Sequence, residues 1–118
     1  MRGFIMAGTK EGKYVQGGIR ITKNYMGVAE KTALANNEVL NTSIGMNRGL
    51  LIVADMTNQK VILLRIEGST MVSVSGNAIF TITKDTASKI NVYWETDQVK
   101  VQNKTGGILG IKVALSGI

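Results

Sequence analysis

Few residues in this chain have side chains suited to catalysis. Histidine and cysteine are both absent, which removes the commonest general base, the commonest metal ligand and every thiolate. Eight carboxylates remain, and outside the N-terminal stretch the candidate pairs are Glu95 with Asp97 and Asp55 with Glu67. Two carboxyl groups held across a cleft could hydrolyse a glycoside. Glu95 and Asp97, however, fall at a predicted hairpin turn, where carboxylates are ordinary turn formers. Gly8-Thr9-Lys10-Glu11-Gly12-Lys13-Tyr14 has part of the pattern of a phosphate-cradling loop. Only three residues separate its glycines, and Tyr14 stands where a magnesium-binding hydroxyl residue belongs, so a polar turn is the better reading. No catalytic residue, metal ligand or cofactor site is expected, and the chain reads as non-enzymatic.

Binding chemistry has two sources. Of the aromatics Phe4, Tyr14, Tyr25, Phe80, Tyr93 and Trp94, Phe80 and Trp94 follow the apolar alternation and are expected in the core. Tyr93 points the other way with Asn91 and Glu95, and is expected to be exposed. With the loop residues Asn77, Asp97 and Asn103 it could contact a saccharide, since rigid amphipathic rings mark interfaces. The net charge of +6 is concentrated near the start, where Arg2, Lys10, Lys13, Arg20 and Lys23 face Glu11 alone. Such a basic arm could contact nucleic acid or an acidic protein surface.

The elements that would carry these residues are strands. From about residue 49, turn signals recur at Asn58, Gly68, Gly76-Asn77, Asp85-Thr86, Thr96-Asp97 and Gly106-Gly107, with β-branched runs between them. This spacing predicts strands over 49 to 55, 60 to 66, 70 to 75, 78 to 83, 89 to 95, 98 to 103 and 108 to 115. Leu109, Ile111, Val113 and Leu115 share one face of the last, opposite Lys112. The runs Leu50-Leu51-Ile52-Val53-Ala54 and Val61-Ile62-Leu63-Leu64-Arg65-Ile66 differ, because both of their faces are apolar. One cover can be the domain's own core. The other is expected to be a further copy of the chain, with Leu50, Ile52, Val61, Leu63 and Leu64 as the oligomer-interface candidates.

Residues 1 to 48 are expected to form a partly irregular arm or wrap, and 49 to 118 the β-sandwich domain. Within the arm, Tyr14 to Thr22 could be a strand broken at Gly17-Gly18, and Val28 to Leu40 contains helix formers that predict a short helix interrupted at Asn36-Asn37. The apolar patch after Arg2, Phe4 to Ala7, is too short for a secretory signal, which predicts synthesis in the cytoplasm. The longest uncharged stretch, Gly68 to Thr83, is polar and shorter than a membrane span, so no membrane insertion is expected.

The segments Phe80-Thr81-Ile82-Thr83, Thr86-Ala87-Ser88-Lys89-Ile90-Asn91-Val92-Tyr93 and Val99-Lys100-Val101-Gln102-Asn103-Lys104-Thr105-Gly106 resemble those of small β-sandwich modules at the ends of bacteriophage tail fibres and other virion appendages. The resemblance covers about the last 70 residues. It implies an all-β, antiparallel, jelly-roll-like sandwich similar to tumour-necrosis-factor folds, assembling as a homotrimer. It further implies a virion structural protein of tail fibre, baseplate or head, with other virion proteins and a host surface glycan or receptor as partners. A shaft of the kind that usually precedes such modules is not expected in this chain. A carbohydrate-binding module, or nucleic-acid binding through the basic arm, is the alternative.

Overall fold

Period-two alternation along most of the chain is resolved into two packed sheets. The computed structural model describes residues 26–45, 48–68 and 70–117, which hold nine strands and, among the described residues, no helix. The strands are β1 (Met26–Leu34), β2 (Val39–Asn41), β3 (Arg48–Asp55), β4 (Lys60–Glu67), β5 (Thr70–Gly76), β6 (Phe80–Thr81), β7 (Ile90–Glu95), β8 (Gln98–Asn103) and β9 (Leu109–Gly117). One sheet has five strands in the order β1-β9-β3-β4-β5, antiparallel throughout. The other has four in the order β2-β8-β7-β6, antiparallel except for the short parallel pair β6–β7. The protein is thus an all-β sandwich.

The core lies between the sheets. Cross-strand register aligns Val113, Val53 and Ile62 in one row and Leu115, Leu51 and Leu64 in the next. These pack in one cluster with Ile90, Val92, Val99 and Val101 of the smaller sheet. Burying each such side chain is worth about 1.5–3 kcal/mol. On β9 the alternation holds as expected, with Leu109, Ile111, Val113 and Leu115 buried and Lys112 exposed.

Residues 26–45 correct the boundary expected at residue 48. They are part of the sandwich: β1 pairs with β9 from Leu34↔Leu109 to Met26↔Ser116, and β2 pairs with β8. Leu34 and Ile44 are buried in the core. The helix expected over Val28 to Leu40 is two strands around a turn at Asn36-Asn37, where Asn37 adopts φ 70°. Pairing with β9 outweighs the intrinsic helix preference of Ala, Glu and Lys, which is a weak prior against tertiary context. The expected strand over 78 to 83 shrinks to Phe80–Thr81, because local side-chain bonds compete with the ladder on both sides: Asn77 Oδ1 accepts from Ile79 N at 2.9 Å and Thr81 Oγ1 from Thr83 N at 3.4 Å. The possible strand over Tyr14 to Thr22, the loop Gly8 to Tyr14 and the basic residues of the first 24 positions lie outside the described residues.

Two backbone positions show how tightly the strands are fitted. At Gly76 a Cβ would stand 2.7 Å from Ile62 Cγ1 and 2.9 Å from Ile62 Cα, so only glycine permits this close approach of β5 to β4. Between β7 and β8, Thr96 and Asp97 both have positive φ, 55° and 59°. That is the left-handed pair a two-residue hairpin turn uses, normally filled by Asn-Gly, and a β-branched residue is strained there. Replacing the pair by Asn-Gly (Thr96→Asn with Asp97→Gly) is expected to stabilise the protein by about 1 kcal/mol, read as a higher urea midpoint at unchanged slope.

Candidate functional site

The most unusual surface is the outer face of the five-stranded sheet. Strand alternation that buries Leu51, Val53, Ile62, Leu64 and Ile66 must turn the intervening residues outward. On β3 and β4 those residues are Leu50, Ile52, Val61 and Leu63, with Arg65 beside Leu50. Register places Val28, Ala114, Ile52 and Leu63 in one row across four strands. Leu50 flanks Ile52 along β3 on one side and Ala54, paired with Val61, on the other. Val28, Leu50, Ile52, Val61, Val72 and Val74 are 41–66% exposed, and Leu63 is half-buried. A contiguous aliphatic field of this kind on a small domain marks an interaction surface. Its borders are charged. Glu67 bridges Arg48 at 3.2 Å and Arg65 at 3.1 Å at one end, and Lys112 stands opposite Glu30 near the other.

Four of the five expected interface residues, Leu50, Ile52, Val61 and Leu63, lie on this face. Leu64 does not: it is fully buried inside the sandwich, as its neighbour's outward direction requires. Val28 lies in the same field, and Val72 on the same face but beyond Arg65; the helix formers around Val28 and the serine beside Val72 hide both from the local pattern.

The residues expected to contact a saccharide do not converge. Asn77 is exposed but its side chain caps its own turn. Asp97 sits at the β7–β8 turn, whereas Asn103 ends β8 five residues after Gln98, about 17 Å away along the strand. Asn103 is completely buried. Its Nδ2 donates to Leu34 O (2.8 Å) and Gly107 O (2.6 Å), and its Oδ1 accepts from Thr105 N (3.0 Å) and Thr105 Oγ1 (2.7 Å). It stitches β8 to the end of β1 and to the 104–108 turn. Asn103→Ala is expected to destabilise the protein by about 3 kcal/mol, since it leaves the buried Leu34 carbonyl, the Gly107 carbonyl and the Thr105 donors without their partner; thermal unfolding measures this.

Tyr93 is buried, contrary to the exposure expected for it. The alternation does place it on the outer side of β7, but residues 82–89 fold back over that side. Asp85 N donates to Gln102 Oε1 (2.9 Å), Gln102 Nε2 to Asp85 Oδ1 (2.8 Å), and Asn91 Nδ2 to Thr86 O and Gln102 Oε1 (both 3.0 Å). Lys84 Nζ lies 5.7 Å from the Tyr93 ring centroid. Burial raises the Tyr93 phenol above its usual range. Trp94, expected in the core, is half-buried and packs against the core's edge.

The carboxylate pairs have structural employment. Glu95 receives Lys84 at 2.8 Å and Lys100 at 3.2 Å; hydrogen bonds from Lys84, then Lys100, hold its carboxyl below the usual range. This clamp therefore contributes above the ordinary carboxylate range and is lost as pH falls through the depressed one. Asp55 is buried and caps the β3–β4 turn, with Oδ1 accepting from Thr57 N and Asn58 N and Oδ2 from Asn58 Nδ2. Glu67 pairs with Arg48 at the far end of the same hairpin, seven residues and about 24 Å from Asp55. No group of three carboxylates gathers among the described residues.

No protein-family model, no curated protein and no solved structure matches this chain.

Proposed function

We propose that this protein is a non-enzymatic assembly subunit whose outer five-stranded face is covered by further copies of itself, as a homotrimer within a bacteriophage particle. Tail fibre, baseplate and head appendage are the settings that fit, with other virion proteins as neighbours and host-receptor contact as an attendant role. The observation that carries the reading is the aliphatic field around Ile52, exposed on a domain small enough that burying it would add appreciably to stability. The resemblance of the last 70 residues to virion-appendage modules supplies the setting. Jelly-roll kinship is supported by nested pairing of early with late strands, β1 with β9 and β2 with β8, while the β3-β4-β5 meander departs from that winding.

Sedimentation of the full chain at micromolar concentration tests the proposal. The wild type should be a trimer. Ile52→Lys, which places a charge at the centre of the field without touching the core, should be a smaller species with an unchanged far-ultraviolet spectrum. A wild-type monomer would overturn the reading.

A further inference from the structure

We infer that residues 82–89 form a strap that opens as a unit while the sandwich stays folded, and so gates the outer face of the smaller sheet. β6 and β7 run parallel, pairing Phe80 with Ile90 and Thr81 with Asn91. A parallel neighbour is reached only by a connection that travels back to the start of the next strand. Residues 82–89 make that return across the outer side of β7 and β8, where they cover Asn91 (0% exposed), Tyr93 and Gln102 (both 7%).

The strap is attached by polar groups. No residue of 82–89 is buried or belongs to the apolar cluster, and Ile82, its one large apolar side chain, is 41% exposed. Its own apolar burial is therefore slight. Among the described residues, every hydrogen bond that ties it to β7 and β8 runs through a side chain. Gln102 Oε1 accepts from Asp85 N, Gln102 Nε2 donates to Asp85 Oδ1, Asn91 Nδ2 donates to Thr86 O, and Lys84 Nζ donates to Glu95 Oε2. At the strap's end Ser88 N donates to Lys104 O, and Lys104 N to Lys89 O.

Its flanks, by contrast, are fixed. Phe80 and Ile90 are buried in the core, and Ile90 N donates to Ile79 O at 2.8 Å. Asp85 and Ser88 hold left-handed φ of 65° and 62°, a strain that opening releases. The carboxamides beneath stay bonded to each other, Asn91 Nδ2 to Gln102 Oε1 at 3.0 Å, and water can take the places that the strap leaves. A segment with few apolar contacts opens at a lower free energy than the whole domain. Opening uncovers a phenol ring and two carboxamides on a strand pair that remains in place.

Residue-resolved hydrogen exchange on the full chain tests this. In the wild type the amides of Ser88 and Lys104 should exchange at least about a hundredfold faster than Val53 in β3, and with little dependence on urea, because opening exposes little surface. Ile111→Val, a core change away from the strap, should speed Val53 about fivefold and leave Ser88 and Lys104 unchanged. Asp85→Ala removes the acceptor of Gln102 Nε2 and places alanine at a left-handed φ. It should speed Ser88 and Lys104 by one common factor, about tenfold, and nitration of Tyr93, located by peptide mapping, by the same factor. Ser88 and Lys104 following Val53 in Ile111→Val would mean that the cover lifts only on global unfolding. That result, or an unchanged response of Ser88, Lys104 or Tyr93 to Asp85→Ala, would overturn the inference.

Discussion

A chain beginning at Asn47 is expected not to fold. Its removal of β1 and β2 strips one of two partner strands from β9 and one from β8, and takes Leu34 and Ile44 out of the core. Those two side chains alone are worth about 3–6 kcal/mol together. Backbone groups are orphaned as well: Asn103 O loses Asn37 N, Asn103 N loses Glu38 O, Val99 N loses Ile44 O, and Val99 O loses both Thr42 N and Thr42 Oγ1. Each buried group left without a partner costs about 1–3 kcal/mol, so the total is comparable to the roughly 5–15 kcal/mol that holds an ordinary domain together. Far-ultraviolet circular dichroism and calorimetry of the truncated chain should show no cooperative transition. A sharp one would restore the domain boundary near residue 48.

Adjacent leucines on β4 are expected to fail in opposite ways. Leu64 is fully buried between the sheets, and Leu64→Lys introduces a charge there with no partner, a change expected to cost at least about 4 kcal/mol and to unfold most of the protein at neutral pH. Leu63 is directed outward beside Ile52. Leu63→Lys is expected to change monomer stability by no more than about 1 kcal/mol and to weaken self-association at the outer face. Urea unfolding and sedimentation, run on both variants, separate the two effects. Loss of fold in both would mean that the outer face is held against residues of the same chain.

Alternation is what made much of this fold legible. β3, β4, β7, β8 and β9 each bury one face against the other sheet, and a one-residue slip would expose the whole apolar set, so pattern and structure must agree there. The doubled apolar pattern of 50 to 54 and 61 to 66 likewise marks one hairpin as carrying an aliphatic face beyond the needs of its own core. Residues 28 to 35 gave no such signal. Ala29, Glu30, Lys31, Ala33 and Leu34 are helix formers, and what holds them extended is β9, some 80 residues further along the chain.

By itself the sequence determined the all-β class, the strands after residue 48 and the outward direction of Leu50, Ile52, Val61 and Leu63, because these depend on period-two burial that each strand carries locally. The tertiary structure alone decided that residues 26–45 complete both sheets, that the 82–89 excursion covers Tyr93, and that Asn103 is an internal tie between β8 and β1. Those outcomes depend on long-range pairing and on which segment comes to lie over a face. Local pattern cannot encode them, since the same side chain is exposed or buried according to what the rest of the chain brings against it.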